Sequence, residues 1–131
     1  MWMKNHVGHN PPPYSPKTYS GDRFSTQPDP VFYAYFIDGE IAGVNSYYEV
    51  NQDECRSRGL YVYPEFRNEG IAIKLLRFAI NQNIDKKYRF IWSMPRDSAR
   101  RSYEQAGFKI TTGPFDMGVY INYKCRYDYE T

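Results

Sequence analysis

Apolar positions alternate with polar ones through a series of short stretches, and twice they recur at helical spacing. Val31 to Ile37 and Glu40 to Val50 are rich in β-branched and aromatic residues, with Asp38-Gly39 between them. That dipeptide suits a type I′ turn, so the two stretches predict a β-hairpin. Asn51 to Glu54 is a polar turn, and Cys55 to Tyr63 reads as a third strand in which Leu60 and Val62 alternate with polar neighbours. Pro64 stops that ladder. An irregular stretch containing Gly70 then leads into the helical spacing Ile71, Ala72, Leu75, Leu76, Ala79, which predicts a helix over Gly70 to Ile84.

Tyr88 to Met94 predicts a strand parallel to its predecessor, because a helix lies between them in the chain, and Pro95 ends it. Asp97 or Ser98 is placed to cap a second helix through Tyr103 and Ala106, closed by Gly107 in a left-handed conformation. Phe108 to Thr112 and Gly118 to Tyr127 read as two final strands joined by a Gly-Pro turn. The order β-β-β-α-β-α-β-β predicts an α/β domain over 31–131, with a mixed central sheet and helices packed on it. Residues 1–30 differ in kind. They hold most of the nine prolines, including Pro11-Pro12-Pro13, and read as a proline-rich, flexible arm.

Composition narrows the function classes. The 131 residues suffice for one domain with a core that needs neither disulfide nor metal. A formal net charge of +2, spread along the chain, argues against a nucleic-acid partner. Cys55 and Cys125 are too far apart in sequence for a metal motif, and no secretory leader pattern is present. Reduced thiols and a cytoplasmic location are the expectation. No apolar run approaches the ~18 residues that span a membrane. Fourteen tyrosines place much of the apolar surface on rings that tolerate a half-wet position.

The strand–Gly–helix passage at Leu60 to Ala72 is the segment with chemistry in it. A helix start leaves unpaired N–H groups at the positive end of the helix dipole, an arrangement suited to a phosphate or pyrophosphate. The three-glycine dinucleotide fingerprint and the Gly-Lys-Ser/Thr ending of a P-loop are both missing. Present instead are Val62-x-Pro64-x-x-Arg67-x-x-Gly70-x-Ala72 and, downstream, Ala99-x-x-x-Tyr103-x-x-x-Gly107-Phe108. In these two motifs, in this order, the chain resembles the GNAT superfamily of acetyl-coenzyme A-dependent N-acyltransferases, over roughly Val31 to Phe108.

The resemblance implies a site. Backbone N–H groups from Arg67, Asn68, Glu69, Gly70, Ile71 and Ala72 would surround the pyrophosphate of acetyl-CoA, with Arg67 adding charge. Leu60, Tyr61 and Val62 would line the pantetheine arm, where the strands matching Cys55–Tyr63 and Tyr88–Met94 splay apart. The Val62 N–H would face the thioester carbonyl as an oxyanion donor. Tyr103 would protonate the leaving thiolate, its phenol being protonated at neutral pH. Arg96 stands where the family often has a cofactor-positioning Asn; with Ser98 it is placed on the cofactor side, and either a phosphate or solvent is open to Arg96.

The acceptor side departs from the pattern. The strand before the central motif offers Arg56 and Arg58 where many relatives have a carboxylate, and neither accepts a proton at neutral pH. Glu49, Glu54 and Asp116 are the nearest acids, and none is assigned as base. His6 and His9 lie in the arm and are given no catalytic role. In a strand, Arg56 and Arg58 share a face with Leu60 and Val62; they either suit an acceptor bearing a carboxylate or phosphate or balance nearby Asp53 and Glu54. The abbreviated N-terminal region leaves two functions in view. One is acetyl transfer to a primary amine, of a small molecule or a protein, by direct attack in a ternary complex. The other is a catalytically silent CoA-binding or protein-interaction module. The possibility of a homodimer stays open.

Overall fold

The computed structural model describes residues 5–9 and 30–129. The strands are β1 Asn5–His9, β2 Val31–Ile37, β3 Glu40–Glu49, β4 Glu54–Val62, β5 Phe90–Ser93, β6 Lys109–Asp116 and β7 Ile121–Asp128. The helices are α1 Ile71–Gln82 and α2 Arg100–Ala106. One seven-stranded sheet has the order β1-β2-β3-β4-β5-β7-β6. Among the described residues, only β4 and β5 run parallel, as the helix between them requires.

The expected arm contains an element that its sequence did not announce. Asn5–His9 pairs antiparallel with the outer side of β2, from Asn5 opposite Ile37 to His9 opposite Tyr33. A free sheet edge accepts an added strand through backbone hydrogen bonds alone, so five residues without strong periodicity suffice. His6 and His9 belong to this strand, whereas the Pro11–Pro13 segment lies outside the described residues.

Asp38 and Gly39 have φ of 50° and 84°, as a type I′ hairpin turn demands. The final hairpin turns elsewhere than expected. Gly113-Pro114 lies inside β6, where the register with β7 shifts, and the reversal falls between Asp116 and Ile121. β6 is an edge strand, so a proline without an N–H interrupts no further ladder. The second helix also begins differently. Neither Asp97 nor Ser98 makes a capping bond: Asp97–Ala99 forms a single 3₁₀ turn, and α2 proper starts at Arg100. The Asp97 carboxylate instead lies 4.0 Å from the Arg100 guanidinium.

Both helices contribute to one core. Leu75, Leu76, Ala79 and Ile80 of α1 and Tyr103 and Ala106 of α2 pack with Tyr33, Tyr35, Cys55, Ile91, Phe108 and Cys125. Truncating a fully buried member such as Leu76 to Ala costs about 2–5 kcal/mol.

Candidate active site

β4 is bent by a bulge. Val44 faces Tyr61 and Ser46 faces Arg58, so Asn45 alone stands opposite both Gly59 and Leu60. Gly59 takes a left-handed φ of 86°, open to glycine without steric cost. The extra residue reverses the alternation. Cys55 and Ser57 are buried, and Leu60 and Val62 pack against the same core as Cys55. Arg56 and Arg58 therefore lie on the opposite face from Leu60 and Val62, contrary to the expectation that the four share one face.

Beyond Arg56 the two central parallel strands part. β4 pairs with β5 only at Glu54–Phe90, Cys55–Ile91 and Arg56–Trp92, although β4 continues to Val62. Two features account for the separation: the bulge bends β4, and β7 holds the chain that leaves β5. Tyr123 N–H donates to Pro95 O (2.9 Å) and Asn122 Nδ2 to Met94 O (2.9 Å). At the apex, the Ser93 hydroxyl donates to the Ser57 carbonyl (2.8 Å), taking the place of a further ladder bond.

Val62 sits on the open side of the gap. Tyr63 N–H donates to Ala42 O (2.9 Å), so by antiparallel alternation the N–H and C=O of Val62 point away from β3. Its carbonyl accepts a bond from Arg67 Nε (2.8 Å). The Val62 N–H is directed to the side from which β5 has departed.

After a 3₁₀ turn at Pro64–Phe66, the chain reaches α1 through two left-handed residues, Asn68 (φ 66°) and Gly70 (φ 77°). Gly70 is the N-cap residue, and no side chain caps the helix. The first N–H groups of α1 thus have no intrahelical partner, which is the anion-binding arrangement that the sequence implied. A Cβ built at Gly70 would meet nothing within 4 Å, so the space beside this backbone is open to a ligand. Arg67 to Gly70 are exposed. These features fit a pyrophosphate.

Tyr103 reaches the apex from α2. Its side chain is only 3% exposed, its ring packs edge-on against Phe108 (centroids 5.3 Å apart), and its hydroxyl is 3.2 Å from Ser93 Oγ. Burial pushes its phenol above the ordinary range, against a smaller lowering by the Ser93 hydroxyl. The group stays protonated at neutral pH.

Other expected residues lie apart. Arg96 stacks over the Tyr120 ring (4.1 Å) and, with Ser98, lines an open cleft of about 590 Å³ against the β6–β7 turn. Arg56 stacks over Trp92 (4.5 Å), and Lys124 approaches the same ring (4.7 Å). The three acids hold structure. Glu54 accepts from Trp92 Nε1 (3.0 Å), Glu49 from the Tyr88 hydroxyl (3.0 Å), and Asp116 from Gly118 N–H (2.9 Å).

Sequence reasoning missed the buried polar chain behind the gap. Asn45 Nδ2 donates to both Tyr33 Oη (2.8 Å) and Ser57 Oγ (2.9 Å), and Tyr33 donates to the Leu75 carbonyl. Asn45 and Ser57 are fully buried and Ser93 is nearly so. Gly59 inside a strand pattern was the one available sign that the alternation would change here.

Strands that part beside an uncapped helix start, with a buried tyrosine at the apex, describe an acyl-transfer fold. The sequence profile of the acetyltransferase (GNAT) family matches residues 3–108, and the chain belongs to that family. The match takes in the strand Asn5–His9. No curated protein matches the sequence significantly.

Solved structures share the fold at low identity. A GNAT family acetyltransferase from Elizabethkingia anophelis, solved with acetyl-CoA bound, is 19% identical with TM-score 0.73 over 95% of this chain and 98% of that one. An IAA acetyltransferase from Bacillus cereus is 17% identical, TM-score 0.77, over 95% and 99%. The ribosomal-protein-S18-alanine N-acetyltransferase from Escherichia coli is 18% identical, TM-score 0.74, over 97% and 95%. Among the described residues, no helix is long and apolar enough to cross a membrane.

Proposed function

We propose that this acetyltransferase moves an acetyl group from acetyl-CoA to a primary amine by direct attack in a ternary complex, in the cytoplasm. The carrying observation is the gap between β4 and β5, with an uncapped helix start beyond Val62 and the Tyr103 hydroxyl at its apex. Acetyl-CoA supplies an activated thioester and an anionic pyrophosphate. The backbone of Asn68 to Ala72 binds the pyrophosphate, and Gly70 leaves it room. The Val62 N–H, aimed into the gap, stabilises the oxyanion that develops as the amine attacks. Tyr103 holds the proton that the departing sulfur requires.

Direct attack is favoured over a covalent acyl-enzyme because both cysteines are fully buried and their thiols are pushed up to about 12, mainly by burial. A thiol in that state is almost wholly un-ionised at neutral pH and a poor nucleophile. Free buried thiols also suit a reducing compartment.

An amine panel tests the proposal. The protein is incubated with acetyl-CoA and small primary amines, amino acids and peptides, and products are read by mass. The expected result is acetylated product from at least one acceptor class, with stoichiometric free coenzyme A. Acetyl-CoA binding with no product from any amine would favour the silent CoA-binding module.

A further inference from the structure

We propose that Ser93 is a positioning residue for Tyr103, its hydroxyl holding the phenol oxygen in place at the apex of the gap. This rests on the reading of Tyr103 as the group that protonates the leaving sulfur.

The argument is a count of protons. A serine hydroxyl has one proton to donate. That of Ser93 goes to the Ser57 carbonyl at 2.8 Å, and a carbonyl donates nothing in return. The contact between Ser93 Oγ and Tyr103 Oη at 3.2 Å therefore has the phenol as donor. Both residues are buried, Ser93 at 4% exposure and Tyr103 at 3%.

The acceptor is itself held in place. Ser57 is the residue after the last β4–β5 pair, and its hydroxyl receives a bond from Asn45 Nδ2 at 2.9 Å. Asn45 also reaches Tyr33, which donates to the Leu75 carbonyl of α1. A polar line thus runs from α1 across the sheet to α2 and ends on the phenol oxygen.

Such an anchor does two things for a proton donor. Before transfer it holds the phenol oxygen at the apex, with the proton resting on Ser93 Oγ until the developing thiolate draws it away. During transfer the amine nitrogen forms the new C–N bond, and the sulfur leaves with the C–S electron pair and takes the Tyr103 proton. The phenolate left behind is poorly hydrated. The Ser93 O–H can turn from the Ser57 carbonyl to donate to it, until the phenolate recovers a proton released by the attacking amine through solvent. Ser93→Ala removes both effects and leaves the Ser57 carbonyl without its partner.

The test uses Ser93→Ala and Ser93→Thr, alone and combined with Tyr103→Phe, in the full chain. Protein carrying ¹³Cζ-tyrosine gives a Tyr103 resonance identified by its loss in Tyr103→Phe. Without any ligand, this resonance should shift in Ser93→Ala and return toward its original position in Ser93→Thr. In turnover with an acceptor from the amine panel, Ser93→Ala should lower kcat roughly 10- to 100-fold, as expected for a misplaced catalytic group. The KM for acetyl-CoA should stay within about twofold, and Thr should recover most of the rate. In the Tyr103→Phe background, Ser93→Ala should cost little more.

An unshifted resonance, or an equal loss of kcat with and without the Tyr103 hydroxyl, would overturn the positioning role. Tyr103→Phe with full activity would instead overturn the role of Tyr103 itself, while the ligand-free resonance still reports whether Ser93 holds the phenol.

Discussion

Arg67 turns back along the chain and donates from Nε to the carbonyl of Val62, five residues earlier, at 2.8 Å, with its guanidinium 5.4 Å from the Tyr61 ring centroid. The motif arginine therefore does more than add positive charge near a phosphate. It ties the end of β4 to the loop that starts α1, and so ties the Val62 N–H to the backbone proposed to bind the pyrophosphate.

Arg67→Lys keeps the charge and loses the flat Nε donor. Affinity for acetyl-CoA should fall roughly 3- to 10-fold in Arg67→Ala, the net worth of about one ordinary hydrogen bond. The Lys variant should stay closer to Ala than to the parent. Calorimetric titration of the three proteins checks this, and full recovery in Lys would mean that charge alone matters.

Tyr103→Phe keeps the ring that packs on Phe108 and removes the proton. The melting temperature should change by only a few degrees, while kcat falls by ~10²–10⁴, the usual worth of general acid catalysis. Steady-state kinetics, with chemistry shown to limit the rate, decides the point. An unchanged kcat would leave Tyr103 as a core aromatic.

The reversal of strand faces at Gly59 and Leu60 moves Arg56 and Arg58 away from Leu60 and Val62. It sets Arg56 against Trp92 on the opposite face. If an acidic acceptor is oriented there, Arg56→Ala and Arg58→Ala should raise KM for acceptors bearing a carboxylate or phosphate and spare neutral amines. Amine-panel kinetics with matched acidic and neutral acceptors measures it. Equal effects on both would remove the preference.

The buried cysteines link stability to alkaline pH. Their folded-state values, raised to about 12 from an ordinary 9.0, mean that the unfolded chain ionises first. The stabilising contribution is complete below pH 9 and is lost as pH rises from 9 toward 12. Denaturant midpoints should hold steady up to about pH 8.5 and fall above pH 9. Cys55→Ala and Cys125→Ser together should flatten that part of the decline. At neutral pH neither thiol should react with an alkylating reagent until denaturant is added.

The legible parts of this fold had local causes. Asp38-Gly39 specifies its turn by itself, and the spacing of Ile71, Leu75, Leu76 and Ala79 specifies a helix face. The Arg67 to Ala72 motif led to the exposed helix start that the structure contains. What stayed hidden depends on partners distant in the chain. Asn45, Ser57 and Ser93 are polar residues in strands, where a polar side chain ordinarily faces solvent and carries no sequence signal of burial. The bulge puts Ser57 on the same face as Leu60 and Val62, Ser93 follows Ile91 on the buried face of β5, and the three residues satisfy one another's polar groups. Asn5–His9 carries little pattern of its own, since the β2 edge supplies its pairing. The β6–β7 turn was misplaced because an edge strand tolerates Gly113-Pro114 inside it.

The most direct test concerns the start of α1, on which the whole account depends. Acetyl-CoA is titrated calorimetrically into the parent protein and into Gly70→Val, with folding of both verified by circular dichroism. Position 70 has φ of 77°, and the space beside it, where the pyrophosphate is proposed to lie, is open. A branched side chain there both strains the loop and fills that space. The account predicts saturable one-to-one binding to the parent and no measurable binding to folded Gly70→Val; equal affinity in the two proteins would contradict it.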